Sequence, residues 1–236
     1  MITLLIATRN DHKVGEIRTI LGGQFRYLTL KDFPATPHVI EDADTFAGNA
    51  MKKAIELARW SASARPPAFN FQSSTVFVLA DDSGLEVDAL GGKPGVHSAR
   101  FAALDSGGPG NSPDADNNAK LLLLLKDVPL EKRTARFRCA LALTPVIDDK
   151  TGNASPVCYA DEFEMQTVLF EGACEGRILL TASGQGGFGY DPLFVPDGFD
   201  QSFAELGEDV KNRISHRSRA LGRLREYRIA SGGFSV

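Results

Sequence analysis

With 236 residues, 43% hydrophobic and 24% charged, the chain has the length and apolar content to bury one sizeable core, which excludes disordered and fibrous classes. Its 26 basic and 30 acidic side chains leave a net charge of -4, without the positive field of a nucleic-acid binder, so no polymeric nucleic acid is expected as a partner. No apolar run approaches the roughly 18 residues of a membrane span, and residues 1–8 lack the basic lead-in and apolar length of a signal peptide, so a cytoplasmic protein with no membrane partner is expected.

Residues 2–7 form an apolar run of strand length, and Val14, Ile17, Ile20 and Leu21 follow at helical spacing. From residue 45 to 64, Phe46, Ala50, Ala54, Leu57, Ala58 and Ser61 recur at steps of three and four, with Thr45 as N-cap. That helix ends before Arg65-Pro66-Pro67, because proline fixes φ and lacks an N–H. Residues 76–80 read as a short buried strand. The Gly- and Pro-rich segment 107–113 reads as a loop before a helix containing 119–126, with 121–125 in the core. Phe137, Cys139, Leu141 and Leu143 alternate with smaller or polar residues, residues 158–170 form a second strand-length run, and turn chemistry at 148–153 predicts an antiparallel hairpin between them. Residues 176–181 are a further strand candidate, and 217–230 form a closing basic helix with Ala220, Leu221, Leu224 and Tyr227 inward. Strands interleaved with helices, then a hairpin, predict an α/β fold with a mixed sheet covered by helices. No repeat or linker divides the chain, so a single domain over 1–236 is expected.

Cys139, Cys158 and Cys174 are widely spaced and odd in number, which predicts reduced thiols, and the histidines form no H-E-x-x-H pair. Any metal is then a hard cation bound by oxygen.

Four polar clusters carry candidate chemistry. Thr8-Arg9-Asn10-Asp11-His12-Lys13 joins a strand to a helix N-terminus. It suits either an anion cradle or an Asn/Asp turn that caps the helix beside a solvated Lys13. Asp81-Asp82-Ser83-Gly84 follows a buried strand, where adjacent carboxylates repel unless a cation or donors compensate. A Mg²⁺ site or an activated carboxylate is favoured there over a plain Asp turn, and the absence of D-x-D counts against an aspartyl-phosphate mechanism. In Gly187-Phe188-Gly189-Tyr190-Asp191-Pro192 a planar base can stack on an aromatic ring, or the rings can simply be buried. Lys211, His216 and Arg217 gather near Ser215, a cap for the final helix, where cations are electrostatically unfavourable unless an anion binds; the competing view is a solvated basic face continuous with Arg219, Arg223, Arg225 and Arg228. Glu41, before the Thr45 helix, can add an acid to Asp82, although capping chemistry alone accounts for acid at that place.

Together, in this order, these blocks resemble the inosine-triphosphate pyrophosphatase family over nearly the whole chain. The resemblance rests on Thr8-Arg9-Asn10 with Lys13, Thr45-Phe46 with Asn49-Ala50 and Lys53, Ala80-Asp81-Asp82-Ser83-Gly84-Leu85, Phe188-Gly189-Tyr190-Asp191-Pro192, and Ser215-His216-Arg217. It implies an elongated, Maf-related fold of two lobes around a deep cleft, a homodimer, and Mg²⁺-dependent hydrolysis of ITP, dITP or XTP to monophosphate and pyrophosphate. By the same resemblance, Thr8, Arg9, Asn10, Lys13 and Lys53 would hold phosphates. Glu41, Asp82 and Asp81 would serve the metal, with Asp82 also accepting the proton of the attacking water and Ser83 beside the substrate. Phe188 would stack on the base, Gly189, Tyr190 and Asp191 would shape its pocket, and Lys211, His216 and Arg217 would reach the base edge and phosphates. Three positions depart from the family pattern: Arg9 for a small residue, Gly48 for a glutamate, and His97 for an aromatic. A Maf-type pyrophosphatase of other modified nucleotides and a nucleotide-binding module without turnover are the competing expectations.

Overall fold

The computed structural model describes residues 2–71, 74–107, 110–147 and 162–230. In chain order the main elements are β1 (Ile2–Ile6), α1 (Asp11–Leu21), β2 (Arg26–Thr29), α2 (Phe46–Ala64), β3 (Thr75–Val87), α3 (Ala103–Ser106) and α4 (Asp114–Leu124). They continue as β4 (Thr134–Pro145), α5 (Glu162–Gln166), β5 (Val168–Ile178), β6 (Phe194–Pro196), α6 (Phe203–Ile214) and α7 (His216–Ala230). The strands form one sheet in the order β2-β1-β3-β4-β5-β6. Because β1 runs parallel to β2 and β3 while β5 and β6 are antiparallel, the sheet is mixed, in an α/β chain as expected.

Contacts divide the chain into two compact units. The first is Met1–Asp82, Ala140–Phe170 and Leu221–Val236, and the second is Ser83–Cys139 and Glu171–Ala220. In the first, Leu4, Leu5 and Ile6 of β1, Ile17 of α1, and Ala50, Ala54, Leu57 and Ala58 of α2 are buried, following the strand and helix periods that predicted them. Thr45 caps α2 by accepting the Gly48 N–H at 3.0 Å, and α2 ends at Arg65, whose left-handed backbone precedes the prolines. In the second unit, Leu85, Val87, Leu121, Leu125, Phe137, Phe194 and Phe203 build a continuous apolar cluster.

Several expectations are corrected. The strand expected at 76–80 runs on to Val87, so Asp81 and Asp82 lie inside β3 and not in a turn. Lysine partners compensate the acids and let the ladder continue. Residues 162–166, expected in a strand, are helical, as the helix formers Glu162, Glu164, Met165 and Gln166 favour, and β5 starts only at Val168. Residues 176–178 complete β5 and are no separate strand, while the expected turn at 148–153 lies outside the described residues. Within 121–125 only Leu121 and Leu125, one helical turn apart, are fully buried; Leu123 and Leu124 face solvent. Tyr227 is 39% exposed, with its ring edge on Phe170. Among the described residues, no helix is long and apolar enough to cross a membrane.

Candidate active site

In the first unit the chemistry centres on three acids and two lysines. The Asn10 side chain accepts the Lys13 N–H at 3.2 Å and so caps α1, and the Thr8 hydroxyl accepts the Asn10 N–H at 3.1 Å. The capping reading of this turn is therefore realised, but Lys13 is not merely solvated: its Nζ lies 2.5 Å from Asp81 Oδ1. Arg9 Nη2 donates to Thr36 Oγ1 at 3.3 Å. From α2, Asn49 and Lys53 stand one turn apart on the same face, and both reach Asp82. Asn49 Nδ2 donates to Asp82 Oδ2 at 3.1 Å, and Lys53 Nζ lies 3.7 Å from Asp82 Oδ1. Lys53 also donates to Glu41 Oε2 at 3.2 Å and to the Asp81 carbonyl at 2.7 Å.

Adjacent residues on a strand point to opposite faces, which separates the two aspartates. The Asp81 carboxylate pairs with Lys13, whereas Asp82 and Glu41 converge on Lys53. Burial pushes the Asp82 carboxyl above its ordinary 3.8, opposed by the charges of Lys53 and Lys13, reinforced by Glu41 and again opposed by the Asn49 hydrogen bond. It is a carboxylate with raised proton affinity beside the Lys53 ammonium, with the charge of Lys13 acting from further off.

In the second unit, Asp191 is 1% exposed and accepts from Lys211 Nζ at 2.6 Å and from the Phe188 N–H at 2.9 Å. The Lys211 ammonium also sits 4.1 Å from the centroid of the half-buried Phe188 ring. Tyr190 is buried in the apolar cluster and donates its hydroxyl to the Ser98 carbonyl at 2.9 Å. Arg217, almost wholly buried, donates to Ser83 Oγ at 2.9 Å, and the His216 ring stacks on Phe137 at 4.9 Å. Gly172 in β5 permits this approach of α7, because a Cβ there would collide with the His216 carbonyl oxygen. Ser215 caps α7 as expected by accepting the Ser218 N–H at 3.2 Å. Lys211, expected at the start of the last helix, instead lies in the final turn of α6. The helix dipole favours a cation there, so its placement no longer argues for a bound anion.

A family model described as the Ham1 family matches residues 4–227. The chain belongs to the Ham1 family. Among its curated relatives, a protein of Shouchella clausii named dITP/XTP pyrophosphatase is 42% identical over 226 residues, 96% of each chain. A protein of the same name from Geobacter sulfurreducens is 44% identical, again over 96% of both chains. Of the solved structures, the Ham1 protein of Staphylococcus aureus matches with a TM-score of 0.70 and 30% identity, covering 97% of this chain and 99% of that one. A nucleoside-triphosphatase described as a dITP/XTP pyrophosphatase, from Mycobacterium abscessus, matches with a TM-score of 0.65 and 36% identity over 94% and 98% of the two chains.

For this Ham1 chain the departure at Gly48 has a local reason, since a Cβ there would stand 2.8 Å from Ala43 Cβ. His97 is exposed. Asn49 was not among the sequence candidates for the site, although its i, i+4 spacing from Lys53 is the signal that pairs them.

Proposed function

We propose that the protein is a nucleoside triphosphate pyrophosphohydrolase that converts dITP, ITP and XTP to the monophosphate and pyrophosphate, clearing non-standard purines from the nucleotide pool. The observation that carries this reading is Asp82, a buried carboxylate of raised proton affinity with Lys53 Nζ 3.7 Å from its Oδ1 and Glu41 on the same lysine. Water attacks the α-phosphorus: its oxygen forms the new P–O bond, Asp82 accepts its proton, and the bond to the oxygen bridging to the β-phosphorus breaks, releasing pyrophosphate. No covalent intermediate is needed. Lys13 and Lys53, with Thr8, Arg9 and Asn10, meet the charge of the triphosphate, while Ser83 and Arg217 stand beside the substrate. Phe188 stacks on the base, Gly189, Tyr190 and Asp191 shape its pocket, and Lys211 and His216 complete it. Donors fixed toward a 6-keto oxygen reject adenine, whose amino group leaves them unpaired at about 1–3 kcal/mol each.

Mg²⁺ is the metal of this reading. Glu41 and Asp82, converging on Lys53, offer the oxygens a hard cation takes. No group of three or more His, Cys, Asp or Glu placed to hold a metal occurs among the described residues, and Mg²⁺ characteristically binds through one or two carboxylates together with substrate phosphates. When bound, it neutralises phosphate charge. A homodimer, implied by the family resemblance, and a cytoplasmic setting, expected from the absence of a signal-peptide pattern and of a long apolar run, belong to the same proposal.

The test is pyrophosphate release by the purified protein with Mg²⁺ against dITP, ITP, XTP, ATP, GTP and a pyrimidine triphosphate panel. Selective release from dITP, ITP and XTP is expected. Preference for another modified nucleotide would transfer the reading to a Maf-type specificity, and silence on every substrate would reduce the protein to a binding module.

A further inference from the structure

We infer that Asp114 and Asn118 of α4 are positioning residues for the base end of the site, acting by gripping the peptide groups of Gly189. The inference rests on the base-stacking role proposed for Phe188. The Gly189 N–H donates to Asp114 Oδ2 at 2.6 Å, and Asn118 Nδ2 donates to the Gly189 carbonyl at 3.0 Å. The two side chains are one helical turn apart and so share a face of α4.

Gly189 sits between Phe188 and Tyr190 with φ of +63°, and a Cβ there would meet nothing within 4 Å. Its backbone therefore has wide intrinsic freedom, and its hydrogen bonds restrict the peptides that carry the two aromatic rings. The rest of the loop is tied down by buried contacts: the Tyr190 hydroxyl donates to the Ser98 carbonyl, and Asp191 accepts from Lys211 and from the Phe188 N–H. The α4 pair adds a third attachment from a helix that is itself anchored, with Leu121 and Leu125 fully buried and the Asn117 side chain accepting from the Ala102 N–H at 2.9 Å. Asp114 is exposed and Asn118 half-buried. Both act through Gly189 on the angle at which Phe188 meets the base.

The test is steady-state kinetics with dITP, binding of IMP by calorimetry, and inhibition by pyrophosphate, in the full chain with Mg²⁺. Asp114→Ala and Asn118→Ala are each expected to raise KM and the IMP Kd about tenfold, as the loss of one charge-assisted or amide hydrogen bond permits, with kcat within about twofold. Pyrophosphate inhibition should not change, because it reports on the phosphate end. Asp114→Asn, which keeps an oxygen acceptor, should restore KM to within about threefold of wild type, and Asn118→Asp, which loses the donor at constant size, should not. In a Phe188→Ala background either alanine substitution should add less than about twofold, since the two act through one ring.

Wild-type KM in both alanine variants, or full additivity with Phe188→Ala, would overturn the clamp while leaving base stacking intact. Wild-type KM in Phe188→Ala itself would remove the stacking role, and the clamp with it. Loss of kcat or of thermal stability in place of a KM effect would likewise overturn positioning, leaving a structural contact.

Discussion

Replacing Asp82 with asparagine separates catalysis from stability. The side chain is 7% exposed, and asparagine matches its size and can still offer an oxygen to Asn49 Nδ2, now 3.1 Å from Asp82 Oδ2. Loss of a general base costs about 10²–10⁴ in rate, or roughly 3–5 kcal/mol of transition-state stabilisation. Stability should move the other way or not at all. Burial raises the Asp82 pKa above 3.8, so the ionised carboxylate opposes folding above its folded-state pKa, and that penalty is relieved as pH falls through it. The neutral amide carries no such penalty. Lys53 meanwhile retains Glu41 Oε2 at 3.2 Å and the Asp81 carbonyl at 2.7 Å. Pyrophosphate release from dITP, measured with thermal unfolding at neutral pH, should show kcat/KM down by about 10²-fold or more and Tm equal or higher. Wild-type kcat/KM should also fall on acidification as Asp82 becomes protonated, and the residual activity of the variant should lack that limb. Wild-type turnover in Asp82→Asn, or a fall in Tm that accounts for the lost activity, would refute the reasoning.

Phe188→Ala should raise KM for dITP about tenfold or more with little change in kcat, since stacking on a base contributes about 1–3 kcal/mol; steady-state kinetics decides it. Lys211→Met removes the ammonium 2.6 Å from a carboxylate that is 1% exposed, and breaking a buried pair from one side costs about 3–5 kcal/mol, readable as a lower denaturation midpoint. Gly172→Ala drives a Cβ into the backbone of α7 and should cost about 1–3 kcal/mol while weakening nucleotide binding through displaced His216 and Arg217. At pH 8 Cys174 should resist thiol reagents in the folded protein, because burial raises its pKa to about 11; modification at the rate of the unfolded chain would contradict this.

What the sequence by itself determined was local. The 3.6-residue period of 45–64 and the Thr45 cap defined α2 to the residue, and the apolar run at the start defined β1 to within one. The polar blocks held Lys13 and Asp81, Glu41 and Asp82, and Phe188, Asp191 and Lys211, which the fold brings together, because glycine, adjacent acids and aromatic-acid steps leave a visible pattern in the chain. Tertiary structure decided everything that depends on a distant partner. In β3, Asp81 and Asp82 meet the opposing charges of Lys13 and Lys53, distant residues of the first unit, a compensation no local pattern contains. The short edge strands β2 and β6 exist through pairing with β1 and β5, and neither was expected from its own residues. Lys211 reads as the start of a basic segment until Asp191 and the end of α6 account for it, and nothing in the sequence singles out Asp114 or Asn118 until Gly189 arrives from over 70 residues away. Periodicity reports which face of an element is buried; it carries no record of which charge or peptide group on another element makes that burial tolerable, and only the fold supplies that pairing.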